Sequence, residues 1–150
     1  MTVFTAYRYD HVIAEAWAGT WRLSAAPDFR VNLYTSFTFN GTHTTKSAAE
    51  TGATQVATGA GYTQNAKTLD AVTFAPYNTT GIAFKSNPVI WFPPSGTTLT
   101  ARHALIYANG TTGAKPFLYI DFGQSISALS PLPLIIAPPD SGWFRQAWST

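Results

Sequence analysis

The sequence predicts an all-β domain, an antiparallel β-sandwich or jelly-roll-like body with one short N-terminal helix. Three observations carry that prediction. Short apolar strings, the clearest of them strictly alternating, recur along the 150 residues and are punctuated by Gly, Asn and Pro. A single stretch has helical spacing. Antiparallel strands with frequent turn signals are the pattern of sandwiches and jelly rolls.

The helical stretch is "DHVIAEAWA", residues 10–18. Asp10 suits its start and Gly19 its exit, and Val12, Ile13, Ala16 and Trp17 share one face. "FRVNLYTSFTF" (29–39) then sends Phe29, Val31 and Leu33 one way and Arg30, Asn32 and Tyr34 the other, ending at the turn pair Asn40-Gly41. Residues 42–61 are small and polar and read as a loop or a weakly paired excursion. Further strands are expected around Leu69 to Phe74, over 81–92 with an interruption at Pro88, over 98–107 and 117–122, and near Leu134 to Ala137. The pair 98–107 and 117–122 is apolar on both faces, with a loop of about nine residues between. Pairing Tyr107 with Phe117 places His103 opposite Asp121, with Arg102 pointing to the other face. One face of this pair can pack on a partner sheet. The other can pack on the N-terminal helix or on a neighbouring subunit. The expected organisation is an N-terminal arm (1–9), a body (10–137) and a C-terminal tail (138–150).

Composition narrows the function classes. The chain has no Cys, nine basic and seven acidic residues, and a net charge of +2. Charged residues are 11% of the chain, against about 25% in an average soluble domain, so a pI near 9 reflects few charges rather than a basic patch. The dispersed Lys and Arg argue against nucleic-acid binding. No apolar run reaches the roughly 18 residues of a membrane helix. No basic start leads into an apolar run, so a protein folded in a cytoplasm is expected, with no membrane partner.

Motifs for chemistry are lacking. His11, His43 and His103 form no metal-ligand spacing, so neither a metal nor a cofactor is expected. The seven carboxylates are scattered. The His103–Asp121 pair reads as a dyad only if a nucleophile accompanies it, and no G-x-S-x-G motif does. His103, Asp121 and Arg102 are therefore taken as structural, and the protein as a non-enzyme.

Aromatic residues are 15% of the chain, with five Trp. Low charge with many aromatics is the composition of an interface core. Phe4, Tyr7 and Tyr9 in the arm, and Trp143, Phe144 and Trp148 in the tail, are the candidate partner contacts. Rings of this size are costly to leave in water, so each segment either folds back on its own domain or docks on a neighbour. Aromatic platforms for sugars are a third option.

Several stretches in order resemble a family of small structural proteins of tailed-phage virions. "AEAWAGTWRLSAAPDFRVNLYTSFTFN" is similar to its first segment, with Asp28, Val31, Leu33, Thr35 and Ser36 matching and Phe37 near the usual Tyr. "ATGAGYTQNAKTL" supplies Gly61, Tyr62, Thr63, Lys67 and Leu69, with Asn65-Ala66 where the family carries a Gly pair. The third segment supplies Trp91, Ala101, Arg102, Ile106, Tyr107, Asp121, Phe122 and Gly123. The resemblance spans roughly residues 14–125 and implies a virion component assembled in a host cytoplasm. The first expectation is a capsid decoration (cement) protein that binds the major capsid protein outside the shell and bridges capsomers, as a homo-oligomer and by symmetry a trimer. The alternatives are a tail, baseplate or fibre-attachment accessory that binds tail proteins, and a carbohydrate or host-recognition module.

Overall fold

The computed structural model describes residues 4–17, 28–76, 81–110, 113–140 and 142–147. These form a mostly antiparallel, sandwich-like all-β domain with two short helices. The main sheet has six strands. Its centre is the hairpin β8 (Thr98–Gly110) and β9 (Gly113–Leu129). β1 (Thr5–Arg8) adds to β9, and β2 (Asp28–Ser36) adds to β8. β3 (Thr54–Gln55) and β4 (Lys67–Thr68) share the far edge of β2. The second layer holds two small sheets. One orders β5 (Thr73–Pro76), β6 (Gly81–Lys85) and β11 (Phe144–Ala147) with β6 central. The other pairs β7 (Val89–Trp91) with β10 (Leu134–Ile136). The helix α1 (His11–Trp17) lies within the stretch read as helical, and α2 (Lys46–Ala49) is an addition to that reading.

The alternation in β2 sets the layers. Phe29, Val31 and Leu33 are all buried in the core, as are Ala104 and Ile106 on β8. Across the layers, the Phe29, Phe84 and Phe117 rings meet at 4.6 to 5.2 Å between centroids, with Phe74 beside Phe84 at 5.0 Å. The sequence register places Phe117 on the face of Tyr119, opposite Leu118. The ladder departs from it: Ile106 faces Leu118 but Tyr107 faces Pro116, so Phe117 is the extra residue of a bulge and its ring joins the inter-layer cluster. His103 does face Asp121. The nine-residue loop shrinks, because the ladder continues to Gly110↔Gly113.

The opposite face of the main sheet is covered by the protein's own segment after β2. Phe37 and Phe39 stack on Tyr119, each at 5.1 Å. α2 is capped by Thr45, whose hydroxyl accepts the Ala48 N–H. It brings Glu50 to the Tyr34 hydroxyl and places Lys46 4.8 Å from the centre of the Tyr107 ring. Asn32 is fully buried and locks onto Asn65: its Nδ2 donates to Asn65 Oδ1 at 2.7 Å and its Oδ1 accepts the Asn65 N–H at 3.0 Å. Asn65 has φ 59°, the left-handed conformation that Asn tolerates best after Gly. That is how a turn survives where the resembled family carries glycines.

The other segments also close on the body. The described part of the arm contains the edge strand β1, and the described part of the tail contains Trp143, 4% exposed, followed by β11. The boundaries at 9 and 138 therefore cut through one core.

Candidate interaction surface

The residues singled out in the sequence fall in three places. Tyr9 is fully buried, and its ring lies edge-on to Phe39 at 5.0 Å. Phe4 packs on Trp143 at 5.8 Å, and Trp143 Nε1 donates to Ser86 Oγ at 2.8 Å. Tyr9 and Trp143 belong to the domain's own core, and the partly buried Phe4 packs against it. Tyr7 alone among the described aromatics of the two termini stands half exposed, over Phe39 and Tyr119. Trp148 and the Phe144 side chain lie outside the described residues.

His103 and Asp121 hold the sheet together at its irregular point. Between Ala101↔Ile126 and His103↔Asp121, β8 has one residue (Arg102) and β9 has four. Asp121 Oδ1 accepts the Gly123 N–H at 2.8 Å, and Gly123 takes φ 72° to complete the turn. His103 Nδ1 is 2.8 Å from the Tyr119 hydroxyl and 3.6 Å from Asp121 Oδ1. Burial lowers the pKa of His103, against a raising effect from Asp121 and a further lowering one from Arg102. Arg102 is exposed.

The polar cluster on this face is a set of buried phenols. Burial pushes Tyr34 far above the ordinary value, helped by its bond to Glu50. Burial likewise pushes Tyr107 up to about 12, against Arg30, and Tyr119 up to about 12, aided by Asp121. The linkage sign is fixed. Above pH 10 an unfolded chain releases these protons while the folded chain keeps them, so stability falls as pH rises from 10 through 12. Urea unfolding followed over that range should show a steadily declining midpoint, with a shallower decline in Tyr107→Phe. An unchanged slope in that variant would mean Tyr107 ionises as freely folded as unfolded.

The surface left uncovered is elsewhere. No charged residue lies between Lys85 and Arg102, or between Asp121 and Asp140. These two stretches contain β7 and β10, which pair Leu134↔Trp91, Ile135↔Ile90 and Ile136↔Val89. Trp91, Val89, Leu134 and Ile136 point inward and are buried. Ile90 and Ile135 point outward. Ile135 is 51% exposed, Phe92 at the end of β7 is 66%, and Leu132 before β10 is 67%, with Leu129 nearby also exposed. Contiguous apolar surface of this kind marks contact with another molecule. The strands are three residues long and flanked by Pro88, Pro93, Pro94, Pro131, Pro133 and Pro138. Proline at short edges blocks strand-to-strand pairing, so the outward face, not the edge, is what is offered. Beside it, Lys67 lies over Trp91 at 5.9 Å and lines an open groove with Ile90 and Phe92. Gly61 closes in here: a Cβ on it would lie 2.2 Å from the Phe92 carbonyl oxygen.

Sequence reasoning turned to the termini because rings gather there. The signal for the exposed apolar residues of β10 and its approach is the long uncharged run "FGQSISALSPLPLIIAPP". Among the described residues, no helix is long and apolar enough to cross a membrane, and no group of three His, Asp or Glu is placed to hold a metal. Comparison with family models, curated proteins and solved structures finds no match for this chain.

Proposed function

We propose that the chain is a non-catalytic structural component of a tailed-phage virion, a capsid decoration (cement) protein that binds the major capsid protein on the shell exterior and bridges capsomers. The observation that carries this reading is the uncharged apolar face of β7 and β10 on a rigid sandwich. The residues of the family resemblance support it in a second way. Val31, Leu33, Tyr62, Trp91, Ala101, Ile106 and Phe122 are buried, and Asp121 and Gly123 shape the bulge. The likeness is therefore one of body, not of an active site. Among the described residues, the Trp91 and Trp143 rings are both buried, so neither is a platform for a sugar.

The test is binding to the particles of the phage that encodes the chain. Gel densitometry against the major capsid protein should give hundreds of copies per particle. A few to dozens would move the protein to the tail. Phe92→Asp is expected to cut particle-bound protein by about tenfold or more, with an unchanged melting temperature because Phe92 contributes little to the core. Wild-type occupancy in that variant would separate the apolar face from attachment.

A further inference from the structure

We infer that Asn40 is a site of self-modification: the Gly41 backbone nitrogen attacks its side-chain amide, so the folded chain converts this residue to aspartate and isoaspartate. Ring closure of this kind needs an exposed Asn, a following residue with no side chain to obstruct attack, and a backbone that no ladder holds extended. The tripeptide Asn-Gly-Thr occurs twice, at 40–42 and 109–111, and the fold treats the two copies differently. Asn109 and Gly110 lie in the β8–β9 ladder, paired with Ala114 and Gly113, and Asn109 Nδ2 donates to Asp28 Oδ2 at 3.2 Å. Both the backbone and the amide that would leave are held there. The other described Asn residues each lack a requirement. Asn87 precedes Pro88, whose nitrogen has no proton to lose. Asn32 and Asn65 are locked to each other and are followed by Leu33 and Ala66.

Asn40 is exposed and opens a turn, its carbonyl accepting the His43 N–H at 3.3 Å. Its Oδ1 accepts the Thr42 N–H at 3.1 Å and the Thr42 hydroxyl at 2.8 Å. An N–H can only donate, so the Thr42 bond fixes which end of the amide is oxygen and leaves Nδ2 as the departing group. Two donors on Oδ1 draw electrons from Cγ and stabilise the charge that gathers on that oxygen as nitrogen adds. Gly41 N bonds to Asn40 Cγ, its proton passes through water to Nδ2, and ammonia leaves. Water then opens the imide ring. Opening at the side-chain carbonyl gives aspartate, and opening at the backbone carbonyl gives isoaspartate, which adds a carbon to the main chain. Either product adds a negative charge next to Gly41, against which the Asp10 carboxylate already stands. The Asp10 N–H donates to the Gly41 carbonyl at 2.9 Å just ahead of α1, so the reaction loosens the tie between this turn and the start of the helix.

Peptide mass mapping of the purified chain, incubated in mildly alkaline buffer well below its unfolding midpoint, tests this. Asn40 is expected to convert about tenfold or more faster than Asn109, with ammonia released in step and an acidic form appearing on ion exchange. In strong urea, where both copies of the tripeptide are unfolded, the two rates should converge. Thr42→Val, which removes one donor from Oδ1, should slow conversion severalfold. Gly41→Ala should suppress it while leaving the unfolding midpoint nearly in place, because a Cβ there would lie 3.4 Å from the Asp10 carboxylate oxygens and 3.5 Å from the Phe39 ring, ordinary contact distances. The isolated acidic form should unfold at lower urea than the parent. Conversion of Asn40 no faster than that of Asn109 in the folded chain overturns the inference, as does conversion confined to urea or a rate unchanged by Gly41→Ala.

Discussion

Replacing Phe117 with alanine is expected to lower the unfolding free energy by about 3–5 kcal/mol, the range for removing a buried aromatic ring. Phe117 is fully buried. Its ring sits 4.8 Å from Phe29 and 4.6 Å from Phe84, one from each layer of the sandwich. It also meets Phe74 at right angles, 6.1 Å away. Removing it takes the shared member from contacts that join three other strands, and the rigid sheet behind it cannot collapse into the gap. With a urea slope of about 2 kcal/mol per molar, the midpoint falls by roughly 2 M. Phe117→Leu keeps most of the apolar volume and should lose markedly less. A loss under about 1 kcal/mol for the alanine variant would mean that the layers are not joined through this ring.

The sequence made this cluster only half legible, for a physical reason. Alternation reveals a face as long as the ladder is regular, and it placed Phe29, Val31 and Leu33 correctly. A bulge changes parity by one, and Phe117 moved from the Tyr119 side to the inter-layer side. The pairing of His103 with Asp121 was legible because it lies beyond that bulge in unbroken register with Ile106↔Leu118. The hairpin end was misread because Asn109, Gly110 and Gly113 are turn-forming residues that a long ladder carries anyway. Residues 42–61 are the loop and weakly paired excursion that their composition suggests, with the short helix α2 added; Ala49 within them and Tyr62 just after them are buried. Tyr62 is packed by a backbone bond from Leu33 N–H to its hydroxyl at 3.1 Å, which no composition reveals. The exposed face of β7 and β10 was missed because three-residue strands with apolar residues on both sides show no alternation to read.

Trp143→Ala is expected to lower the melting temperature by about 10 °C, and deletion of residues 141–150 to lower it further. A buried Trp removed is worth about 3–5 kcal/mol, and each kcal/mol moves the midpoint by about 2–4 °C in a domain this long. Trp143 is anchored three ways. Its ring packs on Phe4, its Nε1 donates to Ser86, and its backbone N–H donates to the Phe84 carbonyl at 2.8 Å. The chain reaches that position through Gly142, at φ 91°, where a Cβ would lie 2.5 Å from the same carbonyl oxygen. The deletion also strips β11 from β6 and exposes an edge of the central strand of its sheet. Trp143→Phe separates the contributions, keeping a ring against Phe4 while leaving Ser86 without its donor. A free anchor for the particle behaves oppositely, since its loss weakens attachment and leaves the melting temperature in place. A truncated chain that melts where the full chain does would therefore return the tail to the role of anchor and remove Trp143 from the core.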